Sequence, residues 1–194
     1  MGRDDGVKNV GMSLANKISV ARILLAPCLV ASLLYYHPTR DWLRYLTLAL
    51  FAIGILSDAV DGFIARSQNQ QSQLGALLDP IADKLLILST LISLSSIRGL
   101  PSWMRIPAWF NLIVISRDVL LIAGTALLFV LTGTFTVRPN RLGKVTVATQ
   151  MLVVPAVLLR LPIAMPLLIT AAMLSVVSAL VYIRLGTALL AEGS

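Results

Sequence analysis

Cysteine and histidine are all but missing from this chain of 194 residues, which has one of each, Cys28 and His37. A lone cysteine excludes an intrachain disulfide, and the pair cannot supply a zinc site or a Ser-His-Asp triad. Charge is scarce too: 13% of residues are charged, about half the share of a soluble domain. In its place stand apolar runs of nearly spanning length, 57% hydrophobic residues and a mean hydropathy of +0.86. Those runs indicate an all-α polytopic membrane protein, with no room for a separate soluble domain. The net charge of +7 does not imply nucleic acid, because no basic run is interleaved with aromatics. Basic residues flanking membrane helices attract anionic headgroups and set topology, so membrane lipids are the expected surroundings.

Taken in order, residues 1–15 form a short surface arm in which Asp4 and Asp5 argue against a transit peptide. Six spanning helices follow in one bundle over 16–190, and 191–194 is a tail. The expected helices cover Ile18 to Tyr36, Leu43 to Ala65, Leu74 to Ile97, Ile106 to Leu131, Leu142 to Leu159 and Ile163 to Leu185. The first ends in Tyr-Tyr-His-Pro rather than a small-residue cleavage site, which makes it a retained helix. Ser67 to Gln73 is a polar loop, RGLPSW a turn with Trp103 and Trp109 at the interface, and Arg160-Leu-Pro a break. Cys28 is expected as a small buried hydrophobe, and His37 as a solvated loop residue. With the N-terminus inside, Lys and Arg number eight on the cytoplasmic side against five opposite.

Four of the nine acidic residues, Asp58, Asp61, Asp79 and Asp83, lie in or at the end of apolar segments. A carboxylate at membrane depth costs a few kcal/mol (about 2.5–3.5 on insertion scales) and calls for a functional reason. Asp58 and Asp61 share one helix face, as do Asp79 and Asp83 on the next helix, which returns antiparallel. Hard oxygen donors facing a common centre suit magnesium or manganese, and bound cations would relieve the mutual repulsion of the acids. Gly62, Ala65 and Gly75 allow close approach of a ligand, and Arg66 offers a fork for phosphate. Paired membrane acids also serve cation or proton transporters, so metal-assisted phosphoryl-type transfer and transport both stand at this point.

The pattern Asp58-x2-Asp61-Gly62-x2-Ala65-Arg66-x8-Gly75-x3-Asp79-x3-Asp83 resembles the signature of the CDP-alcohol phosphotransferase family at every fixed position. The nearest branches are the eukaryotic-type cardiolipin synthases and the phosphatidylglycerophosphate synthases. The resemblance extends over the whole chain, and it implies six transmembrane helices and a homodimer. It implies that Asp58, Asp61, Asp79 and Asp83 surround two divalent ions, commonly magnesium, and that Asp83 doubles as the base. Asp58, Gly62, Ala65, Arg66 and Gly75 would hold the CDP group of a CDP-diacylglycerol donor. An acceptor alcohol would then take the phosphatidyl group and release CMP. The implied setting is a bacterial inner membrane, with the site toward the cytoplasm.

For the acceptor, ISRDVLLIAG (Ile115 to Gly124) is similar to the cardiolipin synthase segment. The phosphatidylglycerophosphate synthases carry Arg-Glu there and a further arginine a turn or two later. Here Asp118 replaces Glu, and no basic residue follows up to Leu131. Phosphatidylglycerol is therefore the leading acceptor and glycerol 3-phosphate the alternative. Arg117, Arg138, Arg141 and Lys144 are the candidate acceptor-binding cations. Equally open are a structural Arg117–Asp118 ion pair and simple positive-inside anchoring by the 138–144 cluster. Asn16, Ser19 and Arg22 either line the rim of the site or form a helix cap with a snorkelling arginine.

Overall fold

The computed structural model describes the backbone of residues 14–68, 73–132 and 141–192. Side chains are described for 19–57, 81–82, 84–128, 130 and 141–187. Six α-helices account for nearly all of it: α1 (Leu14–Leu34), α2 (Trp42–Gln68), α3 (Gln73–Ser96), α4 (Ala108–Thr132), α5 (Arg141–Leu158) and α6 (Ala164–Glu192). No strand occurs among the described residues. Three stretches are long and apolar enough to cross a membrane: Ser102–Leu128, which begins before α4 and takes in most of it, Arg141–Leu158 in α5 and Ala164–Thr187 in α6. The other three helices contribute shorter apolar stretches, Ser19–Leu34, Trp42–Ser57 and Lys84–Ser96. The protein is an all-α integral membrane bundle.

Helix ends depart from the expected ones where good helix formers carry a helix past the run that set the expected end. Leu14 to Lys17 supply the first turn of α1, and α6 runs on through Ala-Leu-Leu-Ala, which are strong helix formers. The surface arm expected at 1–15 therefore falls outside the described residues only as far as residue 13. The break after α5 is a left-handed cap. Arg160 adopts φ 56°, Leu161 N–H donates to Ala156 C=O at 2.9 Å and Arg160 N–H donates to Val157 C=O at 3.1 Å. Pro162 then prevents continuation.

α1 lies against both α2 and α3, while α6 lies against α4 and α5, and fewer contacts join the two groups. Leu29, Leu33, Phe51, Leu86, Leu91, Leu94, Phe110, Val114, Val153 and Leu168 fill the common core. Outside it, large apolar side chains such as Leu24, Leu56, Leu112, Ile122 and Met173 are exposed, as a bundle dissolved in lipid requires. Cys28 belongs with these. It is exposed rather than buried, because in a lipid-facing helix the outer face is as apolar as the inner one.

Polar bonds between helices set the register. Ser32 Oγ and Thr47 Oγ1 meet at 2.7 Å between α1 and α2. Asn111 Nδ2 donates to Leu91 C=O at 2.9 Å between α4 and α3, and Gln150 Nε2 donates to Ser175 Oγ at 2.9 Å between α5 and α6. Within a membrane such bonds and small-residue contacts replace the hydrophobic drive to associate. The ends where α1, α3 and α5 finish gather aromatic and basic groups. Arg44 donates to Leu158 C=O at 3.1 Å and lies over Tyr45, and Arg160 stacks 3.6 Å above Trp103. Trp103 is partly buried, Trp42 and Trp109 are exposed at the same end, and His37 sits exposed in the α1–α2 turn as expected.

Candidate active site

The four aspartates lie at the opposite end of the bundle. Asp58, Asp61, Gly62, Ala65 and Arg66 are in the last part of α2, and Gly75, Asp79 and Asp83 in the first part of α3. Their side chains fall outside the described residues, but the helices that carry them have a fixed register. A Cβ built on Gly54 would sit 2.5 Å from Leu86 Cδ2, so α2 and α3 touch there. From that contact both helices run toward the connection at 69–72. Asp58 lies about 6 Å beyond Gly54 along α2, and Asp83 about 4.5 Å beyond Leu86 along α3. Asp61 and Asp79 each lie about 10.5 Å beyond the contact. The pattern thus becomes two levels, each with one aspartate from either helix. This donor set, all hard oxygen, fits a divalent ion such as magnesium or manganese. Among the described residues no other group of three or more His, Cys, Asp or Glu could hold a metal.

α1 brings a cation to the same depth. Counting from the Ser32–Thr47 contact, Arg22 lies about 15 Å along α1 and Asp58 about 16.5 Å along α2, in the same direction. Arg22 is 1% exposed and Ser19 is fully buried. Arg22 is therefore an interior residue facing the bundle, not an arginine snorkelling to the surface.

The end of α3 that holds Asp83 is tied to the rest of the bundle by a charged network. Lys84, the next residue, donates from Nζ to Asp118 Oδ2 at 2.5 Å. The other oxygen, Oδ1, accepts from Arg117 Nη1 at 2.8 Å, and Arg117 Nη2 donates to Ser178 Oγ at 3.1 Å. Arg117 and Asp118 are buried, and Lys84 is partly exposed. Gly143 on α5 belongs to the same cluster, since a Cβ there would lie 3.4 Å from Arg117 Nη2. Arg117 and Asp118 thus form an ion pair. Nothing in the sequence reading singled out Lys84, although a lysine one position from Asp83 in an apolar helix is itself a signal.

Of the remaining candidate cations, Arg141 and Lys144 are exposed on the first turn of α5, on either side of Gly143. Arg138 lies outside the described residues. Arg117 is the one basic residue in α4, and its Nε, buried, has no hydrogen-bond partner among the described residues.

Comparison with known proteins follows the same outline. Residues 12–182 match the CDP-alcohol phosphatidyltransferase family. The chain is 34% identical over 135 residues to an Aquifex aeolicus CDP-diacylglycerol–glycerol-3-phosphate 3-phosphatidyltransferase, covering 70% of this chain and 69% of that one. It is 34% identical over 160 residues to a human cardiolipin synthase (CMP-forming), covering 74% of this chain and 49% of the human one. Over 80 residues, 41% of its length, it is 40% identical to a Cereibacter sphaeroides CDP-diacylglycerol–glycerol-3-phosphate 3-phosphatidyltransferase, and that match spans only 35% of the relative. Because the family match begins before α1 is complete and runs into α6, it takes in the acid-bearing helices and the network that ties them down. The chain belongs to the CDP-alcohol phosphatidyltransferase family.

Proposed function

We propose that this protein transfers the phosphatidyl group of CDP-diacylglycerol to phosphatidylglycerol, making cardiolipin and releasing CMP. The observation that carries the acceptor is the state of Arg117. It is the one cation of α4, and its guanidinium is buried against Asp118 and Ser178. A free phosphate monoester such as glycerol 3-phosphate would demand an open arginine fork there. Phosphatidylglycerol presents a phosphodiester and brings its own acyl chains, so it depends less on such a fork. Glycerol 3-phosphate is the second reading, favoured by the exposed Arg141 and Lys144 at the start of α5.

The chemistry belongs to the two levels of aspartates. Asp58, Asp61, Asp79 and Asp83 would hold two divalent ions, magnesium or manganese, whose charge would offset that of the CDP diphosphate. Gly62, Ala65 and Gly75 leave room for the donor, and Arg66 holds phosphate. Asp83 takes the proton from the acceptor hydroxyl, whose oxygen forms a new bond to the phosphorus bearing diacylglycerol. The bond from that phosphorus to CMP breaks as the new one forms, and CMP leaves with the electron pair. The same reading puts the site at the cytoplasmic face of a bacterial inner membrane, where soluble CMP can depart, and in a homodimer.

The test is product analysis with the purified full-length protein, CDP-diacylglycerol, magnesium and one acceptor at a time. CMP and cardiolipin formed with phosphatidylglycerol, at a rate at least tenfold above that with glycerol 3-phosphate, is the expected result. The reverse order assigns glycerol 3-phosphate. No CMP with any alcohol would return the four acids to ion transport.

A further inference from the structure

Lys84, Asp118, Arg117 and Ser178 make a continuous chain of charge and hydrogen bonds from α3 through α4 to α6. It starts one residue from Asp83. The direct α3–α4 packing is sparse, and the other polar tie between those helices, Asn111 to Leu91 and Ser95, lies two turns nearer the far end. At the level of Asp83 the polar contact between α3 and α4 among the described residues is the Lys84–Asp118 ion pair. An ion pair of this sort, with Asp118 buried and a second cation on its other oxygen, has a fixed length and direction. Apolar side chains in the same place would allow the helix to slide or roll.

We propose that Lys84 and Asp118 are positioning residues that hold the Asp79–Asp83 segment of α3 at its working register, acting through Asp83. Ser178 and Gly143 fix the Arg117 end of the brace on α6 and α5, so three helices share in aiming one. This rests on Asp83 being a metal ligand and base. Outer partners that orient a metal-ligating carboxylate change affinity for the ion by about ten- to a hundredfold when removed.

The experiment is a Mn2+ titration of the full-length protein in detergent, read by the electron paramagnetic resonance of the free ion. CMP release from CDP-diacylglycerol is measured in parallel. Lys84→Met and Asp118→Asn are each expected to weaken Mn2+ binding about tenfold or more and to lower kcat, leaving the KM for CDP-diacylglycerol within about twofold. The double variant is no worse than the weaker single one, and Lys84→Arg restores Mn2+ affinity to within about threefold. If Lys84→Met does not fold, Asp118→Glu replaces it. That variant keeps every charge, lengthens the bridge by one methylene, and still weakens Mn2+ binding while the melting temperature holds. Unchanged Mn2+ affinity in these variants overturns the brace. So do multiplicative losses in the double variant, or a dead Lys84→Met beside a fully active Asp118→Asn, which would put Lys84 on the substrate itself. A wild-type protein that binds Mn2+ but releases no CMP refutes the transferase reading alone, because the Mn2+ shifts still report on the brace. A wild type that binds no Mn2+ overturns both.

Discussion

At the residue scale, a few charged side chains in an apolar chain carry nearly all the chemistry, and each has a distinct reason to be there. Asp58, Asp61, Asp79 and Asp83 are the residues proposed to bind and react. Asp118 is there to hold Lys84 and Arg117. The two kinds are separable by substitution. Asp83→Asn is expected to abolish turnover while leaving melting temperature and detergent solubility unchanged, because an amide fills the same volume but cannot accept the proton. Normal CMP release from that variant would remove Asp83 from the role of base. Asp118→Ala instead leaves two cations near one buried space. Removing one partner of a buried pair costs about 3–5 kcal/mol, so a drop in melting temperature is expected along with the drop in rate. The first group stands out in the sequence by its residue types at fixed spacings, and its side chains lie outside the described residues. Asp118 was legible only as one half of a pair with its neighbour Arg117. Its partner Lys84 stands 34 positions away, a separation that local pattern cannot bridge. Cys28, expected buried, is exposed, and Arg22, open between the rim of the site and a snorkelling cap, lies in the interior. In lipid both faces of a helix are apolar, so hydrophobicity no longer separates inside from outside.

At the scale of elements, small residues and single polar bonds fix how helices slide past one another, and hence which aspartates share a level. Gly54 is the contact that aligns α2 with α3, and Leu86 opposite it is 2% exposed, with little space to retreat. Gly54→Val should cost about 1–3 kcal/mol by overpacking and lower activity by shifting Asp58 relative to Asp83. Gly124 plays a matching part between α4 and α6, where a Cβ would approach Tyr182 Cε1 to 2.7 Å beside the 2.6 Å bond from Thr125 to Tyr182. Gly186 is the control. A Cβ there meets only Leu128 Cδ1 at 3.8 Å, an ordinary contact, so Gly186→Ala should leave the melting temperature equal or slightly higher. Thermal melts of the two variants in one detergent compare them directly. A Gly54→Val protein as stable and as active as Gly186→Ala would show that the α2–α3 register does not depend on this contact. Helix number and order were readable from apolar run lengths. The exact ends were not, since helix-forming residues at Leu14 to Lys17 and in the tail of α6 extend those helices past the expected ends.

For the whole molecule, the bundle separates two tasks by its two ends. One end gathers Trp42, Trp103, Trp109, Arg44 and Arg160 into an interfacial belt. The other end brings the acid-bearing halves of α2 and α3 together with Arg22, the Lys84–Asp118–Arg117 network and the exposed Arg141 and Lys144. On the proposed function, that division would let a donor keep its acyl chains in the bilayer while its diphosphate meets the aspartates near the surface. On the same proposed function, those aspartates work by holding divalent ions. The most direct test is CMP release from CDP-diacylglycerol and phosphatidylglycerol by protein stripped with EDTA and titrated with magnesium. No release from the stripped protein is expected, with recovery to the full rate as magnesium is restored and with Asp58→Asn and Asp79→Asn recovering little or nothing. Full release from the stripped protein, unchanged by added magnesium, would contradict that role.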